Sequence, residues 1–376
     1  MGVTAFTFDR AHAESFIQFG YEHYAGVPGW IPPIRAWMRA QMAPENQFYG
    51  RPGNHHRHFL CAAGARVVGR VSAFVNADLH DSDGLPIGAV GFYEAIEDDG
   101  VSRELLDAAA GWLTSQHGIH RIWGPLNFDI WHGYRFMTRG FEHERFFGEP
   151  GNHRWYPEQF TRYGFTVRQS WATREVHGRE AIAGMVRSGE ETTRAFEGRG
   201  YRFRPIDVSR LSEGLATLHD LTTRSFAAFL GFTPIGREEF EGLFALTRHG
   251  IIPELIQFAL DPEGHPVGFV AAFPDLTRAV RAMRGGHGPL ARLRFQLAPR
   301  SPRRVILFFG GALPGASRER AGLGRAGVHV LARQATALGC DHFIEALVAS
   351  GNPSAALLGE HRTAVTREYE LYELKR

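Results

Sequence analysis

The chain has 376 residues, 44% of them hydrophobic and 22% charged, with a formal net charge of +2. These values describe a globular protein with apolar material for more than one core, and they carry no global nucleic-acid signature. No apolar run is long enough to span a bilayer, the first ten residues lack the zones of a signal peptide, and Gly2 lacks the downstream Ser or Thr of a myristoylation signal. Two cysteines far apart in sequence, Cys61 and Cys340, read as reduced thiols, so a cytoplasmic location is expected. Lys375 is the only lysine, which argues against lysine-based chemistry. The 29 phenylalanines fill cores or line a partly apolar substrate channel.

In chain order, Ala11 to Tyr24 suits a helix with Phe16, Phe19, Tyr21 and Tyr24 near one side, broken by Val27-Pro28-Gly29-Trp30-Ile31-Pro32-Pro33. His55-His56-Arg57-His58 reads as a solvated loop, because adjacent histidines point in different directions and no Cys or carboxylate spacing completes a metal site; no metal is expected. Phe59 to Ala63, a Gly64-Ala65 turn and Val67 to Val75 predict a β-hairpin, and Ala89 to Ala95 a further strand. Val101 to His117 predicts an amphipathic helix burying Leu105, Leu106, Ala109, Trp112 and Leu113, and Arg121 to Gly124 returns as a strand.

A polar, helix-prone stretch from Arg179 to Gly198 separates the halves. Helices are then expected over Ser209 to Phe229 and Arg237 to Thr247, and a second hairpin joins Leu255–Leu260 to Pro266–Phe273 across Asp261-Pro262-Glu263-Gly264-His265. Each half runs helix, hairpin, strand, helix, strand, which suggests two copies of one fold. The division is 1–176, a connecting helix over 177–198, and 199–376. The intervening arginine-dense segment, Arg278 to Arg304, reads as a solvated surface excursion, or as a basic amphipathic flap that meets a membrane surface, an acidic carrier protein or coenzyme phosphates.

Two regions carry candidate chemistry. In the first half, Gly124-Pro125-Leu126-Asn127-Phe128-Asp129-Ile130-Trp131-His132-Gly133-Tyr134-Arg135-Phe136, with Phe146-Phe147-Gly148-Glu149-Pro150-Gly151-Asn152, is unusually polar for segments so rich in aromatics. Buried polar groups must be paired, so a lined pocket is expected. Asn127, Trp131, Arg135, Phe147 and Asn152 would contact substrate; His132 would serve as base, oriented by Glu149, with Tyr134 beside them. The bland alternative is a structural Arg135–Glu149 pair. In the second half, Glu345 is a carboxylate within an apolar strand, His342 to Val348; it is either a base with a raised pKa or a charge on the outer face of an edge strand. Tyr369 and Tyr372 read as packed strand residues. No Gly-x-Ser-x-Gly elbow supports a hydrolase triad.

The last seventy or so residues give the sharpest pattern. The apolar run Val305 to Phe309 enters Gly310-Gly311-Ala312-Leu313-Pro314; an arginine- and glycine-rich turn, Arg318 to Arg325, opens a helix, and a second apolar run leads to Asn352. A strand feeding a glycine-rich turn at a helix N-terminus holds pyrophosphate through free N–H groups and the helix dipole. This order resembles the acyl-CoA-binding half of the GCN5-related N-acyltransferase (GNAT) fold. With Trp30-Ile31-Pro32-Pro33, Val68-Gly69-Arg70-Val71 and the Gly-Pro-x-Asn and Tyr-Arg-Phe blocks, the chain resembles bacterial tandem-GNAT proteins over nearly its whole length. The resemblance implies a mixed α/β fold of two GNAT-like domains, each a mostly antiparallel mixed sheet flanked by helices.

It further implies acyl-CoA as donor, held by Gly311, Ala312, Leu313, Arg320, Gly322, Leu323, Gly324, Arg325 and Asn352, and transfer to an amine, with a long-chain, ceramide synthase-like branch as one option. Glu319 occupies the position where the family pattern has Arg or Gln, and Leu358 the place where a tyrosine often protonates the leaving thiolate. Those departures keep two alternatives open: a donor presented by an acyl or aminoacyl carrier protein, and a catalytically inactive acyl-CoA sensor. In the first half Glu97-Asp98-Asp99-Gly100 would repel pyrophosphate, so that half is expected to be a degenerate copy that shapes the acceptor pocket.

Overall fold

The computed structural model describes residues 1–244, 250–299, 302–313, 322–352 and 365–376. In the first half β1 (Gly2–Phe6) leads to α1 (Arg10–His23), α2 (Arg35–Met42) and α3 (Gln47–Gly50), then to β2 (His55–Ala63), β3 (Arg66–His80) and β4 (Pro86–Ala95), with β1 to β4 antiparallel. Helix α4 (Asp99–His117) starts where the Asp98 carboxylate accepts the Val101 N–H at 3.0 Å and ends at Gly118, whose φ of 64° closes the helix. Strand β5 (Arg121–Gly124) returns parallel to β4. A short ribbon, β6 (Leu126–Asn127) with β7 (Gly133–Tyr134), precedes β8 (Phe136–Arg139), α5 (Trp155–Tyr163), β9 (Thr166–His177) and the connecting α6 (Arg179–Gly198).

The second half repeats this order. It comprises β10 (Arg202–Pro205), α7 (Leu211–Phe226), α8 (Arg237–Leu243), β11 (Ile256–Leu260), β12 (Pro266–Pro274), α9 (Thr277–Met283), α10 (Pro289–Leu297), β13 (Arg304–Ala312), α11 (Leu323–Ala337), β14 (His342–Ala349) and β15 (Val365–Lys375). Apart from the β6–β7 ribbon, the described strands form one continuous mixed sheet, ordered β1-β2-β3-β4-β5-β15-β9-β14-β13-β12-β11-β10, with β8 also on β15. The last strand of the chain thus lies inside the first half's sheet, between β5 and β9, and β9 lies against β14 of the second half.

The two halves also repeat an irregularity. In each, a long helix joins the two strands of a parallel pair, β4 to β5 through α4 and β13 to β14 through α11, and in each the first strand of the pair carries a bulge. Phe308 is the extra residue where Ala272 pairs Leu307 and Ala271 pairs Phe309. In β4 the register slips across Phe92, which has a φ of 47°. Bulges bend a strand and raise its twist, so the parallel pairs part there.

Two expectations change. The segment His55–His58 is not a solvated loop but the start of β2. Strand alternation turns His58 inward, where it is fully buried among the rings of Phe6, Phe16 and Phe74, with Nδ1 2.7 Å from the Ser72 hydroxyl. The segment after β12 is not a plain surface excursion: Leu276, Val280, Met283 and Phe295 of its two helices bury against Ile34, with Trp37 and Phe147 packed beside them, while Leu290, Leu293 and Leu297 stay exposed. The helix expected to reach Thr247 is seen as α8 to Leu243, and residues 245–249 lie outside the described residues.

Candidate active site

Strands β13 and β14 pair only from Arg304–His342 to Leu307–Glu345. Beyond that point β13 bulges at Phe308, and β14 bulges at Ala346–Leu347, with Leu347 at a φ of 61°. The two strands therefore open into a V. From Phe308 to Ala312 the edge of β13 that faces β14 has no strand partner among the described residues, so its backbone groups are available to an extended ligand arm. Helix α11 begins at the open end, with Gly322 as its cap at a φ of 92°. Leu323, Gly324 and Gly327 of α11 line a small cavity with Phe203 of β10, Ala259 of β11, Gly268 of β12 and Gly311 of β13, beneath the helix and without any β14 residue in its lining. Among the described residues nothing stands within 4 Å of a side chain built on Gly324, in the first turn of α11, where backbone N–H groups and the helix dipole favour an anion.

The corresponding V in the first half is filled. The Asn127 amide oxygen accepts the Phe92 N–H at 2.6 Å, and a side chain on Gly91 would come within 2.4 Å of the Leu126 carbonyl oxygen. The chain's own β6 thus occupies the space that β13 and β14 leave open. In the Glu97–Gly100 segment Asp98 serves as the α4 cap rather than as part of any anion site.

Glu345 sits at the apex of the open V, 3% exposed, opposite Arg174 in the β14–β9 register. Burial pushes its pKa up to about 7, with the Arg174 charge opposing, and its Oε2 has no hydrogen-bond partner among the described residues. Since β14 lies between β9 and β13, the reading of Glu345 as a charge on an edge strand is corrected.

The opposite face of the same strands holds a second buried carboxylate. Glu149 pairs with Arg367 Nε at 3.0 Å and accepts the Tyr369 hydroxyl proton; burial raises its pKa to about 7 against the pull of Arg367 and Tyr369. The Tyr369 hydroxyl lies 3.2 Å from that of Thr173, and Thr173 Oγ1 accepts the Leu347 N–H at 3.2 Å, so this chain of contacts reaches the bulge that opens the V. Arg367, 1% exposed, also binds Glu175 and the Glu144 carbonyl. Phe146, Ile306, Ile344 and Ala346 bury beside it, with Phe308 and Leu347 against them.

The structure does not gather the first-half candidates into one pocket. His132 Nδ1 lies 2.8 Å from Asp129 and its Nε2 3.7 Å from Glu239 of α8, so Glu149 does not orient it. Burial disfavours the imidazolium, yet the Asp129 hydrogen bond and the two carboxylate charges raise the His132 pKa. Trp131 crosses to the second half, donating to the Thr233 carbonyl at 2.8 Å and packing on Phe226, Phe232 and Phe240. Arg135 does not pair with Glu149; its guanidinium lies over the rings of Tyr134 and Trp171, 3.9 and 4.7 Å from their centroids. Phe147 packs on α9, and its N–H donates to the Thr277 hydroxyl at 2.7 Å. Asn152 spends its amide on the backbone of Met137 and His153, as a clamp between β8 and the following loop. A two-residue strand, tight turns and a positive φ at Phe128 and Arg135 send successive side chains to different faces, which composition alone does not reveal.

In the second half, Gly311, Ala312 and Leu313 lie on or just past β13, and Arg325 is in the first turn of α11. Asn352 closes the turn after β14, its N–H donating to the Ala349 carbonyl at 3.1 Å. Arg320, Glu319 and Leu358 lie outside the described residues. Tyr369 and Tyr372 are buried strand residues. Sequence reasoning missed Arg367, Thr173 and Glu175; the only available signal was the polar period of two in Thr173-Arg174-Glu175 and Arg367-Glu368-Tyr369.

The arrangement of two halves with one opened parallel pair is the tandem GNAT fold. The chain matches a tandem GNAT protein from the clavulanic acid biosynthesis pathway over 100% of its length and 98% of that chain, with a TM-score of 0.52 and 12% identity. A probable N-acyltransferase from Enterococcus faecalis V583 superposes with a TM-score of 0.52 at 9% identity, over 99% of this chain and 72% of that one. By sequence it is similar to protein YghO of Escherichia coli strain K12, 22% identical over 294 residues, 76% of this chain and 72% of that protein. It is also similar to a bacterial ceramide synthase of Caulobacter vibrioides, 23% identical over 286 residues, 73% of this chain and 70% of that protein. No family model matches the chain.

Proposed function

We propose that this protein is an N-acyltransferase that takes an acyl group from acyl-CoA in the V between β13 and β14 and forms an amide on an amine. The observation that carries the reading is that, among the described residues, nothing pairs with the strand edge of β13 that leads to the α11 N-terminus, while its counterpart in the first half is filled by Asn127. In this reaction a neutral amine attacks the thioester carbonyl, whose oxygen β13 backbone N–H groups polarise, Glu345 takes the ammonium proton, and the C–S bond then breaks to release coenzyme A as the thiolate, which takes up a proton from solvent. The half-buried side chains of Phe308 and Leu347, at the bulges of β13 and β14, offer apolar contacts that favour a long acyl chain. The similarity to a ceramide synthase favours a long-chain amine as acceptor.

Acyl-CoA of the matching chain length should raise the melting temperature by mass action, worth about 2.7 kcal/mol at a hundredfold excess over the dissociation constant. Turnover would then be followed as free thiol released in the presence of an amine. No thermal shift at any acyl length from two carbons to long chains defeats the reading.

One observation favours a carrier-protein donor instead. Helix α10 exposes Leu290, Leu293 and Leu297 next to Arg292, an apolar and basic face that fits an acidic carrier. On that reading, acyl carrier protein turns over where free acyl-CoA does not. Reversing both arginines, Arg292→Glu with Arg294→Glu, should then raise KM for the carrier at least tenfold while leaving any turnover of free acyl-CoA unchanged.

A further inference from the structure

Strand β9 ends Glu175-Val176-His177, and His342 opens β14 directly opposite His177. Residues two apart on a strand share a face, and directly opposed residues on paired strands share it too, so the three side chains converge. His177 Nε2 lies 3.0 Å and His342 Nε2 2.9 Å from the same oxygen, Glu175 Oε2, and the two imidazole rings are 4.0 Å apart. The remaining carboxylate oxygen, Oε1, is held by the guanidinium of Arg367, which is itself fixed by Glu149 and the Glu144 carbonyl.

We infer that Glu175, His177 and His342 form a binding site for a divalent transition-metal ion, with two imidazole nitrogens and one carboxylate oxygen as ligands. The donor set and spacing are those of a site that leaves room for water or another ligand in the fourth position. Two neutral imidazoles and one carboxylate select zinc, cobalt, nickel or copper over calcium or magnesium, which prefer oxygen alone. The carboxylate is already oriented by a hydrogen-bonded partner, Arg367, as ligating carboxylates are. Glu175 is buried, whereas His177 is exposed, so an ion reaches the site from solvent without any opening of the core. The site joins β9 of the first half to β14 of the second, at the end of the pair opposite the V. A bound ion therefore fastens the junction of the halves and takes no part in acyl transfer.

The test uses tag-free full-length protein, stripped with chelator and titrated with cobalt(II). One equivalent should bind, giving visible d–d bands of a four- or five-coordinate ion, and should raise the melting temperature. His177→Ala removes an exposed ligand with little risk to folding, and His342→Ala removes the other imidazole. Each should weaken binding by about a hundredfold and abolish the bands. Absence of bands in wild type, or bands and stoichiometry unchanged in His177→Ala, overturns the site.

Discussion

Replacing Glu345 by Gln should cost activity and raise stability in one substitution. As the base, Glu345 is expected to contribute about 10²–10⁴-fold to turnover, so the Gln variant should lose that much with any acyl donor and amine pair the wild type accepts. The wild-type rate should climb with pH to a plateau above about 7, where burial has placed the carboxyl, and the variant should lack that limb. Stability moves the other way. The folded-state pKa lies above the ordinary carboxylate value of 4.5, so the unfolded chain ionises first as pH rises. The contribution of the neutral carboxyl is fully present below about pH 4.5 and is lost as pH passes 7. A shift of this size corresponds to roughly 3 kcal/mol, which a neutral amide does not forfeit. Urea titrations at pH 5 and pH 8 should show wild type and variant close together at the lower value and the variant more stable at the higher. Equal stability at both pH values would mean that Glu345 is solvated, and retention of the pH limb in the variant would place the base elsewhere, with Glu149 on the opposite face the next group to replace.

The sequence exposed the repeat and most helices because those rest on local periodicity: Leu105, Leu106, Ala109 and Leu113 mark one face of α4 whatever surrounds it. Glu345 was legible only as an alternative, a raised-pKa base or a charge on an edge strand, because its apolar neighbours Ile344 and Ala346 do not tell whether β14 lies inside the sheet. What stayed hidden depends on which strands become neighbours. Nothing local tells that β15 crosses into the first half's sheet, so Arg367 and Tyr369 could not be placed beside Glu149, nor that β14 pairs with β9, which sets His342 beside His177. The first-half block failed for another reason. Trp131, His132, Tyr134 and Arg135 are consecutive enough to look like one pocket, yet the β6–β7 ribbon turns them toward α8, Trp171 and the second half's aromatic core in turn.

The crossing of β15 makes Arg367 the position where substitution should damage stability most. It is a cation with almost no exposure that faces two carboxylates, one on the 144–149 loop and one on β9, while its own strand comes from the far end of the chain. Arg367→Met, similar in length and uncharged, leaves Glu149 buried without its counter-ion and Glu175 with only its two histidines, which costs about 3–5 kcal/mol. The two acids should then diverge. Glu149, already raised to about 7 by burial, is expected to take up a proton at neutral pH once Arg367 no longer opposes that shift. Glu175 is held well below the ordinary value: burial pushes its pKa upward, but hydrogen bonds from His342 and Arg367 and the Arg367 charge outweigh it. Its stabilisation is therefore present above about pH 4.5 in the wild type and is lost as pH falls below that. Arg367→Met should shrink this acid-dependent loss, because much of what acid removes is already gone. Urea midpoints at pH 7 and pH 4, taken with chelator present, should show a large gap between wild type and variant at pH 7 that narrows at pH 4. Neutralising the acids as well, in Arg367→Met with Glu149→Gln and Glu175→Gln, should recover much of the loss at pH 7, since removing a whole buried ion cluster costs far less than removing one partner. If the triple variant is as unstable as the single one, packing of the arginine stem between the two half-sheets, rather than its charge, is what joins them.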